Sequence, residues 1–351
     1  MRLARWSLDS YSLPYEREVR WSDVVESAAQ FVLLRIESDS GHAGVAEVTV
    51  KPTWSGVSRR TLEASVEELF VPILQQAELS DPAAVRQRLD AIPENHAAKA
   101  LVDNALWDLH AAHAGKPLWQ LWGGRASVDL SWAVTRQSPA LMAKEAAAMV
   151  DRYGFRTLKV KGGQGLAVDV QGMREIRAAA GADVRLYVDA NGFYSMQESK
   201  SYMEAMADAG AEVVEDPCPL LPDAQFEALQ KASPVPILVD FGCASRRDAA
   251  LFIERGARAL SLKPGRFGLS DTRAMLDMAN KAGCATVVGL FGESALGSLA
   301  ALQLASILPA GALPCETTWY LAMTRQVIKT PLEIRRGAVE LPPIAGLASL
   351  L

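Results

Sequence analysis

Short runs of apolar residues, each ended by a charged residue, recur along the C-terminal two-thirds of the chain. These charged ends are Lys159 and Lys161 in TLKVK, Asp189 in RLYVD, Glu215 in EVVE, Asp240 in PILVD and Lys263 in ALSLK. Each run is typical of a buried strand of about five residues. Successive run ends lie 23 to 28 residues apart, close to the roughly 30 residues per strand–helix unit of a (β/α)8 barrel. The pattern predicts an α/β protein with a (β/α)8-type, or TIM, barrel.

The segments around these strands complete the predicted barrel. Residues 129–135 have the pattern of its first strand, CATVVG that of a seventh, and residues 313–317 that of an eighth. The intervening segments predict seven helices, at residues 139–153, 167–180, 195–209, 223–231, 246–255, 270–282 and 294–308. We therefore assign the barrel domain to residues 125–324.

Residues 1–124 do not alternate strands with helices in this way. Two strand patterns, at residues 2–8 and 31–37, are separated by the polar segment 15–22, and Ser40-Gly41 predicts a hairpin turn into GVAEVTV. Helical patterns follow, the last over residues 97–114 with a stop at Gly115. This order predicts an α+β module. We expect residues 325–351 to pack back on it, and no flexible linker separates it from the barrel.

Three acidic residues end successive predicted strands: Asp189, Glu215 and Asp240. Neighbouring strands lie about 4.8 Å apart, so these side chains should converge at the mouth of the barrel. Carboxylate oxygens are the ligands that Mg²⁺ prefers, which predicts a Mg²⁺ site, with Mn²⁺ as an alternative. Each acid could instead cap a helix, but three in successive units favour a metal.

Lysines flank the three acids on both sides. Lys159 and Lys161 are two residues apart and point the same way on one strand, and Lys263 ends the strand beyond Asp240. A nearby cation and partial burial lower a lysine pKa and favour a neutral amine. An ion pair of these lysines with Asp189 is the structural alternative. With a metal on the substrate carboxylate, one amine on each face could remove or return a proton at the α carbon.

Net charge, apolar runs, cysteines and histidines exclude several classes of function. The net charge of −5 gives no reason to expect a nucleic-acid or membrane-surface partner. We find no apolar leader and no membrane-length apolar run, and the four cysteines form no CxxC pair, so we expect a cytoplasmic protein with reduced thiols. All four histidines precede the barrel strands, which argues against a Ser–His–Asp triad or a histidine-rich zinc site. The base is therefore expected to be a lysine.

These motifs resemble the muconate-lactonizing subgroup of the enolase superfamily. The resemblance comprises K-x-K at Lys159–Lys161, the acids in VDANG, VEDP and LVD, and Lys263 in SLKPGRFG. ALVDNALWDLHAAHAGKPLWQLWGG and GLFGESALGSLAALQLAS are also similar to family segments, and the likeness covers nearly the whole chain. A lysine base working with Mg²⁺ is the pattern of that superfamily.

The resemblance implies that residues 1–124 form a capping domain, closed by the C-terminal segment, with two loops that select the substrate. These loops would be near residues 16–21 and 51–56. The candidate substrate-binding residues are Trp21, Trp54, Asn191, Glu293 and Glu316. Two departures stand out: Phe241 follows Asp240 where the family commonly has Glu, and CETTWY replaces the Asp-x-Asp of dipeptide epimerases.

The sequence thus predicts an enzyme, an isomerase or lyase that abstracts a proton α to a carboxylate to form a metal-stabilised enolate. Lys161 would be the main base or acid on one face, Lys263 would act on the other face, and Lys159 would stabilise the carboxylate of the small-molecule substrate. Muconate cycloisomerisation is the first specific expectation, racemisation or epimerisation the second, and dehydration the third. A Schiff-base aldolase and a non-catalytic carboxylate-binding or scaffold barrel are the rivals from other classes. The family also implies a homo-oligomer.

Overall fold

The N-terminal module begins with a three-stranded antiparallel sheet. A computed structural model describes residues 1–21 and 24–351, and its first strands are β1 (Leu3–Trp21), β2 (Val24–Ser38) and β3 (Ala43–Thr49), in the order β1-β2-β3. The expected break at the polar segment 15–22 is wrong for its described part, because β1 runs on through it. Backbone pairing with β2, which does not depend on side-chain polarity, has an irregularity between Pro14 and Val19 and then resumes up to the pair Trp21–Val24.

Helices follow this sheet in the chain, and α5 packs against it: α1 (Pro52–Ser55), α2 (Arg59–Ala64), a π-helical turn (Ser65–Phe70), α3 (Val71–Gln76), α4 (Pro82–Leu89), α5 (His96–Ala114) and α6 (Leu118–Leu121). Most of α5 is buried, and Leu101, Ala105 and Leu109 share a core with Val32 and Leu34 of the sheet. The predicted stop of this helix is confirmed, since Gly115 ends it with a φ of +66° that favours glycine.

The remaining chain alternates strands and helices, as predicted. The elements are β4 (Ser127–Asp129), β5 (Trp132–Val134), α7 (Pro139–Tyr153), β6 (Thr157–Lys161), α8 (Leu166–Ala180), β7 (Arg185–Asp189), α9 (Met196–Asp208), β8 (Ala211–Glu215), α10 (Ala224–Ala232), β9 (Ile237–Val239), α11 (Arg246–Glu254), β10 (Ala259–Leu262), α12 (Pro264–Phe267), α13 (Leu269–Ala282), β11 (Ala285–Val288) and α14 (Ala295–Ala305). Strands β5 to β11 form one parallel sheet in sequential order. Its apolar strands are covered by helices, as a parallel sheet requires.

The segment 313–317 closes this sheet into a barrel. On one side, the backbone N–H groups of Leu313 and Glu316 donate to the carbonyl oxygens of Thr286 and Val288, at 3.2 and 2.9 Å. On the other side, Cys315 forms a parallel bridge with Leu130 just before β5. The segment therefore holds the eighth-strand position, and the predicted TIM barrel is confirmed.

The C-terminal segment contacts both parts of the chain. After a 3₁₀ turn (Trp319–Ala322), strands β12 (Ile334–Arg335) and β13 (Ala338–Glu340) form a small sheet with β4, in the order β12-β13-β4. A second 3₁₀ turn (Leu347–Leu350) follows. The backbone N–H of Leu347 donates to Asp108 of α5 at 2.7 Å, and Leu347 and Leu350 pack with Val45 and Leu299. The last turn thus lies where the N-terminal module meets the barrel. Among the described residues, no helix has the length and apolar character needed to cross a membrane.

Candidate active site

The strand register places the charged residues side by side at one end of the barrel. Lys161 pairs with Asp189 across β6 and β7, and Asp189 pairs with Glu215 across β7 and β8. Asp240 directly follows β9 and Lys263 directly follows β10. Because parallel strands end at the same edge, these side chains meet at the C-terminal mouth.

One flank of the site is formed by Lys161. Its Nζ lies 2.5 Å from Oδ2 of Asp189 and 3.5 Å from Oδ1 of Asn191. Asn191 in turn donates its backbone N–H to Asp189 Oδ1 at 2.8 Å and its side-chain amide to Oδ2 at 3.1 Å. Asn191 therefore lies beside the carboxylate of Asp189 and orients it.

The opposite flank is formed by Lys263. Its Nζ lies 2.5 Å from Oδ2 of Asp240, and both side chains are buried. Asp216, also buried, accepts the backbone N–H groups of Asp240 and Phe241 at 3.1 and 2.7 Å. Lys161 and Lys263 thus pair with the first and the last of the three acids.

Lys159 lies below these residues, in the barrel interior. Its Nζ is within hydrogen-bonding distance of Glu215, at 2.8 Å, and of both carboxylate oxygens of Glu316, at 3.1 and 3.2 Å. The hydroxyl of Tyr187 donates to Glu316 at 2.5 Å, and the backbone N–H of Leu290 donates to it at 3.2 Å. Glu316 is therefore committed to partners inside the protein.

Burial and neighbouring charge act in opposite directions on these groups. Burial alone would raise the pKa values of Asp189 and Asp240, but the adjacent ammonium groups bring both below the ordinary value. Burial would lower the pKa of Lys159, but the carboxylates of Glu215, Glu316 and Asp189 raise it well above its usual range. Lys159 is thus an ammonium cation, whereas the sequence predicted lowered pKa values, favouring a neutral amine, for the lysines of this site.

A small cavity of about 30 Å³ lies at this mouth, between the N-terminal module and the barrel. The barrel contributes Lys159, Lys161, Lys263, Leu290, Phe291 and Gly292, and the N-terminal module contributes Glu26, Lys51, Thr53 and Trp54. The three predicted catalytic lysines therefore face one enclosed space, and Trp54 lies on its wall.

Glu293 and Trp21 are the other two predicted substrate-binding residues. Glu293 is buried, and its Oε2 accepts the backbone N–H of Phe291 at 2.7 Å. Within residues 1–21 and 24–351, its Oε1 has no hydrogen-bond partner. Burial raises the pKa of Glu293 to about 7, although backbone hydrogen bonds oppose the shift. The side chain of Trp21 lies outside the described part of the structure.

Two site residues escaped the sequence analysis as individual candidates: Lys51 and Glu26. Lys51 is buried, forms an ion pair with Glu26, and approaches Gly292 on the barrel. A signal for it was present, because GVAEVTVK also ends an apolar run with a lysine. Glu26 had no comparable signal, since it stands in a strand of mixed polarity.

The acids do not form a ready metal cage. In the part of the chain that the structure describes, no three histidine, cysteine or acidic side chains converge closely enough to bind a metal ion as they stand. Instead, ammonium groups lie against each of Asp189, Glu215 and Asp240. The donor chemistry, three buried carboxylates on adjacent strands, is nevertheless of the kind that binds Mg²⁺.

The sequence matches two family models, the N-terminal domain of mandelate racemase / muconate lactonizing enzyme over residues 16–123 and the enolase C-terminal domain-like model over residues 141–349. It is 27% identical to the chloromuconate cycloisomerase CbnB of Cupriavidus necator, over 99% of this chain and 96% of the relative.

Two solved structures are similar over 99% of this chain. One is the muconate lactonizing enzyme of Mycobacterium smegmatis complexed with muconolactone, with a TM-score of 0.93, 26% identity and 96% of that chain covered. The other is the dipeptide epimerase of Cytophaga hutchinsonii complexed with Mg and D-Ala-L-Val, with a TM-score of 0.90, 26% identity and 95% covered. The chain therefore belongs to the mandelate racemase / muconate lactonizing enzyme family of enolase-superfamily enzymes.

Proposed function

We propose that this enzyme moves a proton at the carbon α to a substrate carboxylate, with cycloisomerisation of a muconate-like diacid as the overall reaction. One observation carries the proposal: the Nζ atoms of Lys161 and Lys263 lie on opposite flanks of three buried carboxylates and border the same cavity. A proton acceptor on one flank and a cation on the other suit a carbanion-like intermediate.

Asp189, Glu215 and Asp240 would hold Mg²⁺, with Mn²⁺ as an alternative. Their charge and hard oxygen atoms fit either ion, and a related dipeptide epimerase is described with Mg. When bound, the ion would draw electron density from the substrate carboxylate. For the carboxylates to take this role, Lys161 and Lys263 must release Asp189 and Asp240, which frees their amines to face the substrate.

Each lysine has a distinct task in this proposal. In cycloisomerisation one carboxylate oxygen of the diacid adds to the double bond conjugated with the other carboxylate, and Lys161, as an ammonium, gives its proton to the α carbon of the resulting enolate. In epimerisation Lys161 instead takes the α proton as a neutral amine, and in either reaction Lys263 serves on the opposite flank. Lys159, whose pKa is raised by the carboxylates around it, remains an ammonium and stabilises the negative charge of the substrate carboxylate. Asn191 keeps Asp189 in place while Lys161 moves.

Epimerisation is the second candidate, because a dipeptide epimerase is among the similar structures. The eighth-strand acid argues for cycloisomerisation instead. Glu316 is engaged by Lys159, Tyr187 and Leu290, so it would have to leave three partners before it could receive the ammonium group of a dipeptide. Dehydration needs the same first step and ranks third.

The test is incubation with cis,cis-muconate, chloromuconates and a panel of dipeptides in D₂O containing Mg²⁺. We expect a lactone product that carries one solvent deuteron at the carbon α to its carboxylate. Deuterium exchange in dipeptides without lactone formation would favour epimerisation. A lactone without the label would contradict the proposed proton transfer, and Lys161→Ala serves as the inactive reference.

A cytoplasmic location and a homo-oligomeric state belong to the same proposal. All four cysteines are free and buried, in keeping with a reducing compartment. Light scattering after gel filtration measures the oligomeric state, and a monomer at working concentration would contradict it.

A further inference from the structure

Phe241 is an unusual residue at the rim of the site. It directly follows the acid Asp240, and 52% of its surface is exposed although it is large and apolar. Its ring meets the indole of Trp54 edge to face, with the centroids 5.4 Å apart at an angle of 89°. A large exposed apolar side chain at this position therefore has a specific contact, and that contact is with the N-terminal module.

Two further barrel side chains, Phe291 and Arg266, surround the indole of Trp54 together with Phe241. We call these three residues the seat of Trp54. Phe291 packs edge-on at 6.2 Å, and the guanidinium of Arg266 lies 5.9 Å from the indole centroid. Arg266 is itself fixed, because it donates to the backbone carbonyls of Asp240, Phe241 and Cys243 at 3.2 to 3.3 Å. The seat is thus built from rigid residues of the barrel mouth.

The indole held in this seat lies over the ammonium of Lys263. Lys263 Nζ is 4.2 Å from the ring centroid, well within the range of a cation–π interaction, and 2.5 Å from Asp240 Oδ2. The ammonium therefore has a carboxylate on one side and an aromatic face on the other. Helix α1, which carries Trp54, buries no residue of its own, so core packing does not account for the position of the indole.

We propose that Trp54 is a positioning residue for Lys263, and that Phe241 and Phe291 hold its indole over the ammonium. Phe241 thereby supports Lys263 indirectly, through the indole of Trp54 in the N-terminal module. The placement of Lys263 then depends on the docking of residues 52–55 on the barrel. This inference does not require any particular substrate or reaction.

Nuclear magnetic resonance of protein labelled with ¹³C at the lysine ε carbon tests the contact without a substrate. Protons above an aromatic face are shifted upfield, so one ε-CH₂ signal should lie upfield of the others and should vanish in Lys263→Met. We expect Trp54→Leu to return this signal to the ordinary range and Phe241→Ala to move it partway. Phe193→Ala is the matched control, because Phe193 is 56% exposed and meets the ring of Tyr194 edge to face.

A kinetic measurement separates positioning from mere packing. We expect Trp54→Leu to lower kcat about 2- to 30-fold, the range that a cation–π contact supplies, with Trp54→Phe in between. A Lys263 signal at the ordinary position in the wild type, or one unmoved by Trp54→Leu, would overturn the inference even if the enzyme were fully active. An upfield signal in a protein with no lactone-forming activity would support it while refuting the proposed function.

Discussion

Two sets of buried acids, in two regions of this protein, are neutralised by different means. At the barrel mouth, side-chain ammonium groups compensate the three proposed metal ligands, as Lys161 does for Asp189 and Lys263 for Asp240. Where the N-terminal module meets the barrel, backbone N–H groups and hydroxyls do most of this work. An ammonium on a flexible stem can move away, whereas a backbone N–H cannot.

The acids of the second region, Glu47, Asp103 and Asp108, all bridge separate segments of the chain. Glu47 of β3 accepts the backbone N–H and the hydroxyl of Ser294, at 2.8 and 2.6 Å. Asp103 of α5 accepts the same two groups of Ser270, at 2.8 and 2.6 Å, and Asp108 accepts the N–H groups of Val45 and Leu347. Fixed donors of this kind attach the module to the barrel.

The comparison of the mouth with the interface shows how a buried carboxylate can serve either function or stability. Carboxylates paired with mobile cations can exchange them for a metal ion, so the mouth suits chemistry. Carboxylates held by backbone donors have no such freedom, so the interface suits docking. Changes in the first region should therefore affect activity more than folding, and changes in the second should do the reverse.

The largest expected effect is that of Lys161→Ala on activity. Loss of the proposed base should lower kcat by about 10²- to 10⁴-fold, the usual contribution of a positioned acid–base group. Folding should change less than activity, because Lys159 at 3.3 Å and two hydrogen bonds from Asn191 still compensate the buried carboxylate of Asp189. Steady-state kinetics with the best substrate and thermal unfolding measure both effects. The exposed lysine variant Lys200→Ala is the control, and a variant with wild-type kcat would contradict the role of Lys161.

Sequence patterns located the mouth region well, because strand length, helix spacing and the charged strand ends all follow from periodicity. The predicted helix over residues 139–153 is observed as Pro139–Tyr153, for example. The contacts made beyond the strands were less accessible. Spacing places Glu316 and Asn191 at the mouth, but it does not reveal that Lys159 and Tyr187 engage the first or that Asp189 engages the second.

The junction of the two domains was the least predictable part. The polar stretch of β1 has no strand-like alternation of apolar and polar residues, so its pattern does not predict a strand. Contacts with other parts of the chain hold it in place instead, namely pairing with β2 and a hydrogen bond from Arg17 to Thr135 at 2.9 Å. Likewise, the edge-to-face contact of Trp54 with Phe241 joins residues almost two hundred positions apart, and local periodicity carries no information on such a pair. Lys51 was the exception, since it ends an apolar run.

Addition of Mg²⁺ is the next test of the contrast. If the mouth carboxylates exchange their ammonium partners for the ion, Mg²⁺ at 100 times its Kd should stabilise the folded protein by about 2.7 kcal/mol. Asp240→Asn removes one ligand and should lose most of this gain. Denaturant unfolding with and without Mg²⁺ measures it, with Asp108→Asn as the control variant outside the mouth. An equal gain in wild type and Asp240→Asn would mean that the ion binds elsewhere.

A smaller effect is expected at the interface from Asp103→Ala. The backbone N–H of Ser270 would lose its buried acceptor, at a cost of about 1–3 kcal/mol in the free energy of unfolding. Because α5 and α13 remain in place, the change in kcat, expressed as a free energy, should be smaller than the change in the free energy of unfolding. Asp208→Ala, at the exposed end of α9, is the matched control. A loss no greater than that of the control would show that the interface acids are not needed for docking.

The subtlest prediction concerns pH, since Asp108 at the interface and Asp240 at the mouth should respond in opposite directions. Burial raises the pKa of Asp108 to about 7, above its unfolded value near 4. The stability linked to this group is therefore fully present below pH 4 and is lost as pH rises through 7. Asp240, whose pKa is lowered by Lys263 despite burial, stabilises the fold above pH 4 and loses that contribution on acidification.

Denaturant unfolding at a series of pH values from 3 to 8 separates these two contributions. In Asp108→Asn the loss of stability between pH 4 and 8 should be smaller than in the wild type, because the neutral amide has no charge to bury. In Asp240→Asn the loss below pH 4 should be smaller instead. The shape of each curve matters more than its height, since either substitution also disturbs hydrogen bonds by a constant amount. If both variants flattened the same limb, the two sets of buried acids would be electrostatically alike, and the distinction between exchangeable and fixed compensation would fail.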